Sequence, residues 1–237
     1  MLIRHQRSMN LGLLLGATFF IILAVIFSPI FGGGKNGLEY SDALFNKLAK
    51  GSSYFVPELT ASLTKFQKEE LAVNVKMENP DQAARAVKIF TRAAPDTKAN
   101  GAELNIKGNL SKLLGAVLED SSSMYFNKGG EVREKYGMDE QDVMTTWWAA
   151  LNRTVKELQK SGKTEQSNIV VEVMRKGVEP AYNFYKIEPQ SIFEKALTAA
   201  SLLVFYVVYT LWWGFAIFYL FDGVGLSMKK ARVKQEV

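Results

Sequence analysis

Cysteine is absent from the 237 residues, and histidine occurs once, at His5. The first absence excludes disulfides, a thiol nucleophile and c-type haem attachment. The second removes the side chain most used for general acid–base work from everything beyond the N-terminal tail. Together they leave the middle of the chain without the ligands that transition metals favour. Nor does the sequence contain a P-loop, a G-x-G-x-x-G, an H-E-x-x-H or a G-x-S-x-G, or a repeat with a period of tens of residues. The adjacent acidic pairs Glu69-Glu70, Glu119-Asp120 and Asp139-Glu140 are poor catalytic dyads, because neighbours on a helix point in different directions. They are expected on solvated faces. No catalytic, cofactor-binding or metal-binding residue is therefore predicted, and the protein is expected not to be an enzyme. Lack of disulfides does not bar an exported domain, since a domain of this size can bury enough surface without them.

A surplus of charge is also missing where a nucleic-acid binder would need it. The formal net charge is +5, but residues 32–195 hold 23 Lys and Arg against 22 Asp and Glu. The excess sits in the short ends, so the folded part lacks the net basicity of a nucleic-acid partner.

What the sequence has is two long apolar runs. Residues 11–31 are broken only by Thr18, Ser28 and Pro29, long enough for a helix to cross the hydrocarbon layer. A cleaved signal peptide would have a shorter apolar core and a small-residue cleavage site, so the run is expected to remain as an anchor. Gly12 and Gly16 form a G-x-x-x-G that would let helices pack closely. Residues 196–221 carry no charge and are rich in aromatics, among them Trp212, Trp213 and Tyr219. Such rings favour the membrane interface, although Trp212 and Trp213 lie deeper along the run and could pack on lipid or on the first helix. Basic flanks at Arg4, Arg7, Lys229, Lys230, Arg232 and Lys234 predict that both short tails, 1–10 and 222–237, stay cytoplasmic.

Between the runs, residues 32–195 are expected to form an extracytoplasmic domain. Gly32-Gly33-Gly34 reads as a flexible link. Ser41 can cap a short helix carrying Leu44 and Leu48, and Pro57 can open a second. Leu71, Val73, Val75 and Met77 alternate with polar residues, as do Ala102, Leu104 and Ile106, predicting two strands. A helix over 81–93 separates them, and Asn109 can cap another. Turns are expected at Pro95-Asp96 and Asn100-Gly101, with further breaks at Gly129-Gly130 and Gly137. Asp139 then caps a helix whose stripe includes Val143, Met144, Trp147, Trp148, Leu151 and Val155. Ser161-Gly162 turns it into a partner bearing Ile169, Val173 and Met174, and Pro180 should kink or end this helical hairpin. Trp147 and Trp148 are expected in its packing, and Glu140 on its wet side.

The expected fold class is α+β, mostly helical: two transmembrane helices flanking an exported domain with a small two-strand unit and a helical hairpin. The tails are too short to fold into an output domain. A non-enzymatic accessory or scaffold subunit of a membrane complex is therefore expected. It would meet the lipid bilayer and a membrane-protein partner or a second copy, with its domain in the periplasm of a bacterial inner membrane. A sensor or ligand-binding subunit signalling through a membrane partner is the alternative.

Overall fold

A computed structural model describes residues 3–226. The basic positions Lys229, Lys230, Arg232 and Lys234 lie outside them. The chain is mostly helical with one small sheet. It divides into two compact units, one built from both ends of the chain and one from Asn46–Gln190.

The first unit contains α1 (Gln6–Ile26), most of α2 (Gly37–Lys50) and, from the far end of the chain, a 32-residue apolar helix (Ile192–Gly223). The long helices are both apolar enough to cross a membrane. Neither keeps the expected limits. The first begins five residues early and stops at Ile26, because Pro29 disfavours helical geometry at Ser28 and lacks an amide donor. The flexible link expected at Gly32–Gly34 is instead a tight turn. Phe31 and Lys35 exchange backbone hydrogen bonds of 3.0 and 3.1 Å, and Gly33 and Gly34 take the positive φ angles that close it. The cap of α2 is Asn36 rather than Ser41. Asn36 Oδ1 accepts from the Glu39 amide and Glu39 Oε2 from the Asn36 amide, a reciprocal box, while Ser41 bonds back to Gly37.

The second unit continues with α3 (Val56–Ser62), a 3₁₀ turn (Leu63–Phe66), β1 (Glu70–Lys76) and α4 (Pro80–Phe90). Then come β2 (Lys98–Asn100), β3 (Glu103–Asn109), α5 (Leu110–Tyr125) and α6 (Gly129–Tyr136). The hairpin follows as α7 (Glu140–Lys160) and α8 (Thr164–Val173), a π turn (Met174–Val178) and α9 (Glu179–Asn183). The first unit's Ile192–Gly223 helix is α10.

The sheet has three strands, not two, in the order β1-β3-β2 and antiparallel throughout. Val73 faces Ile106 and Val75 faces Leu104 across the main pair, all four buried. That alternation is what the sequence displayed. β2 displays none, for its three residues are all exposed. It forms because Gly101, at φ +59°, reverses the chain into β3. Helix α6 also escapes the pattern: its paired glycines read as a break, yet Arg133, Lys135 and Tyr136 tie it to carboxylates elsewhere, and tertiary bonding overrides weak propensity. Ahead of Pro180 the hairpin's second arm widens into the π turn, where the Glu179 amide reaches back five residues to the Met174 carbonyl. Helix α10 starts at Ile192.

Candidate functional site

One buried polar cluster of the Asn46–Gln190 unit lies where the chain arrives and departs. Gln190 donates its amide to the Lys47 carbonyl at 3.1 Å, so the two crossings lie side by side. One turn further, Lys50 is buried. Its ammonium donates to Asn127 Oδ1 at 3.0 Å, the Phe184 carbonyl at 3.0 Å and the Ile187 carbonyl at 2.6 Å. Three donors thus meet three neutral acceptors. Burial pushes the Lys50 amine below its usual value, with Glu188 opposing. Asn127, at φ +62°, also accepts from the Lys186 amide at 2.8 Å and donates to the Ile187 carbonyl at 3.2 Å. Tyr125 closes the cluster by donating its hydroxyl to the Lys50 carbonyl. The result is a clamp that fastens residues 184–188 onto the end of α2.

Beside it stands Glu140, the first residue of α7. Its carboxylate accepts from Arg133 Nε at 2.7 Å and from the Tyr185 hydroxyl at 2.9 Å. A hydrogen bond from its own backbone amide holds it below the usual carboxylate value; burial opposes this, and Tyr185 and Arg133 add to it. The expectation of a wet face for Glu140 is therefore wrong.

A second buried carboxylate, Asp120, lies on α5. Asp120 Oδ2 accepts from the Tyr136 hydroxyl at 2.7 Å and from the Trp147 indole at 2.9 Å, and Oδ1 accepts from Lys135 at 2.8 Å. Burial works to lower the Lys135 amine, but the bonds to Asp120 and Glu119 outweigh it and leave it raised. Burial and the neighbouring Asp120 charge push the Tyr136 phenol well up. In both helical acidic pairs one member is inside and the other out. Asp120 and Glu140 are buried, whereas Glu119 and Asp139 remain accessible. A signal for this was present. Asp120 is three residues after Val117 and four before Met124, and Glu140 lies three and four before Val143 and Met144. Each carboxylate therefore sits on an apolar stripe.

Of the residues expected in packing, Trp147 is fully buried, its ring 4.5 Å from that of Phe90. Ile169, Val173 and Met174 belong to the same core. Trp148 does not join it. It is 40% exposed and donates to Glu179 at 3.2 Å, because the step from position 147 to 148 rotates the side chain off the buried face.

In the first unit, α1 and α10 run antiparallel. A Cβ on Gly12 would come within 2.7 Å of the Leu220 amide nitrogen, whereas one on Gly16 would meet nothing within 4 Å. Of these two glycines only Gly12 makes a close approach, and towards the end of the pair Gly223 makes another against Met9. Trp212 donates to the Leu15 carbonyl at 3.1 Å, and Trp213 packs on Phe19 at 4.7 Å between ring centres. Tyr209 stacks on Phe19 at 4.3 Å and donates to its carbonyl at 3.0 Å. Both tryptophans thus pack on the first helix, one of the two contacts expected of them. Tyr219 lies near the α10 end, edge-on to Phe218 at 5.3 Å.

At the opposite end of the hairpin a cleft of about 300 Å³ is lined by residues including Lys65, Glu69, Lys163 and Gln166. Gln166 donates to Glu69 at 2.8 Å, while its own Oε1 is buried without a partner. Among the described residues no group of three acidic or histidine side chains is placed to hold a metal ion. Comparison with family models, with curated proteins and with solved structures finds no match for the chain.

Proposed function

We propose that the protein is a non-enzymatic, two-span membrane protein of the bacterial inner membrane. On this reading the Asn46–Gln190 unit lies in the periplasm, both termini are cytoplasmic, and the protein serves as an accessory or scaffold subunit of a membrane complex. The observation that carries the reading is the use made of the buried charged groups. Lys50, Asp120 and Glu140 are each engaged by partners within their own unit, so their chemistry is spent on rigidity rather than on a substrate. What that unit offers outward includes the half-exposed aromatic Trp148 on α7 and Tyr182 on α9. Aromatic side chains of this kind anchor protein interfaces. The antiparallel pairing of α1 with α10 supports termini on one side, as does the pair Arg4 and Arg7 before the first span.

A photo-crosslinking side chain in place of Trp148 tests this in native membranes. The expected outcome is one dominant adduct with a membrane protein or a second copy, lost in detergents that dissociate complexes. A protein that stays free of adducts at its natural abundance would overturn it. A reporter fused after Lys98 should be inactive on the cytoplasmic side, and activity there would invert the topology.

The cleft near Gln166 favours the second reading, a ligand-binding subunit. It would be preferred if a small polar solute raised the melting temperature of the full chain and Lys163→Ala abolished the rise.

A further inference from the structure

We propose that β1 is a dimerisation edge, pairing antiparallel with β1 of a second copy across a two-fold axis to make one continuous sheet. The proposal does not depend on how the long apolar helices are oriented. β1 lies at one end of the strand order β1-β3-β2. The Met77 amide donates to the Ala102 carbonyl at 2.8 Å, and the Leu110 amide to the Glu69 carbonyl at 2.9 Å. In an antiparallel pair such bonding recurs at every second residue, so the odd-numbered residues of β1 turn to β3. The amides and carbonyls of Glu70, Ala72, Asn74 and Lys76 point the other way, where the sheet has no further strand. Arg153 Nε donates to the Lys76 carbonyl at 2.7 Å, which agrees with that direction and guards one end. Among the described residues no side chain does the same at Ala72 or Asn74. Lone edges are blunted by short length, proline, a bulge or an inward charge. β1 has none of these: it runs seven residues in unbroken register with β3, and its inward side chains are Leu71, Val73 and Val75.

Charge selects a second copy as the occupant. Two antiparallel β1 strands can meet only with even residues opposite even residues, because those carry the outward backbone groups. An axis through Val73 sets Glu70 opposite Lys76 at both ends and Ala72 opposite Asn74 between them. All four residues are exposed on the outer face of the sheet, and opposite charges directly across a strand pair are favourable. Lys76 already stands opposite Glu103 in its own sheet, so in the dimer it would lie between two carboxylates. The neighbouring registers are worse. An axis through Ala72 brings Lys76 towards Lys68, and one through Asn74 brings Glu70 towards Glu78. On the inner face the chosen axis brings the two Val73 side chains together. Val73 is the least covered of the three inward residues, 9% exposed against 2% for Leu71 and Val75.

The chain has no cysteine, so a single introduced thiol reports alone. Positions 72, on β1, and 99, on the far edge strand β2, are both exposed. Ala72→Cys and Ala99→Cys are made in the full-length protein in native membranes. In the proposed register the two copies of position 72 are diagonal neighbours, within reach of a bis-maleimide spanning about 8 Å. The two copies of position 99 are five strand spacings apart, roughly 24 Å. Covalent dimer should form at 72 and not at 99. Glu70→Lys and Lys76→Glu, each added to Ala72→Cys, should each reduce that dimer several-fold, because each sets like charges opposite one another at both ends. Co-expressed under different tags, these two variants should crosslink to each other at close to the parent level, since lysines then face glutamates. A variant that merely misfolded could not be rescued in this way. Absence of dimer at 72, dimer formed as readily at 99, or dimer indifferent to the charge reversals would overturn the proposal. So would a loss that mixing leaves unrepaired.

Discussion

Trp147 and Trp212 are the same residue in two different units of the chain, and their indole N–H groups are satisfied in opposite ways. In the Asn46–Gln190 unit Trp147 donates to a buried carboxylate, Asp120, which needs Lys135 and Tyr136 as well. In the α1–α10 pair Trp212 donates to a helix carbonyl, that of Leu15, and Tyr209 does the same with Phe19. A carbonyl already bonded along its helix still has a free lone pair. It accepts without bringing a charge into an apolar setting, where ionised groups are costly. A buried carboxylate is affordable only when several donors surround it. One region is therefore joined by neutral acceptors and close backbones, the other by saturated charges.

The largest expected effects test the charged side of that contrast. Asp120→Ala strands Lys135, Tyr136 and the Trp147 indole, and removing one member of a buried charged set costs about 3–5 kcal/mol. Trp147→Ala should cost a similar amount, about 3–5 kcal/mol, through lost packing on Phe90. Either loss is a large share of the roughly 5–15 kcal/mol that holds a domain folded. Urea unfolding of the full chain in detergent measures both. The double variant should lose less than the sum of the two, because they share one hydrogen bond. Strict additivity would show that the carboxylate and the indole act independently.

The apolar side is sharpened by the glycine pair. Gly12→Val would press a side chain onto the Leu220 backbone, an overpacking of about 1–3 kcal/mol. Gly16→Ala enters open space and should change nothing. Nitroxides on the exposed positions Leu14 and Leu211 report the helix separation, which should widen in the first variant alone. Equal widening in both would restore the whole G-x-x-x-G as the contact.

These elements differ in how far they could be read from the residues. The β1–β3 pair was legible because one face is buried, and burial imposes a period of two on the sequence. The α7 stripe was legible for the matching reason at helical period. β2 was not, since a fully exposed edge strand carries no apolar imprint. Lys50 was not legible either. Its partners are an amide side chain and two backbone carbonyls from residues 127, 184 and 187, and carbonyls leave no trace in a sequence. Asp120 and Glu140 fall between these cases. Their positions on apolar stripes could be counted, but treating each acidic pair as one solvated unit hid the member that faces inward. Trp148 erred the other way, for it took the character of its neighbour although one helical step separates their directions.

The smallest expected effect concerns Glu140, and it depends on pH. Glu140→Gln keeps the size of the side chain and one acceptor oxygen while removing the charge. Arg133, its main cationic partner, is well exposed and can turn to water, so the cost near neutral pH should be only about 1 kcal/mol. The pH at which that cost disappears is more informative. The Glu140 carboxyl is held below its ordinary value of 4.5 in the folded protein. The unfolded chain therefore binds the proton more readily, and stability is lost as the solution is acidified. The contribution of the carboxylate is fully present above 4.5 and fades as pH falls through the lower folded value. Urea midpoints of wild type and variant, taken from about pH 7 to about pH 3, should differ at the upper end and converge at the lower. A gap that stayed constant across the series would mean that the shape of the side chain, not its charge, holds α6 and Tyr185 to the start of α7.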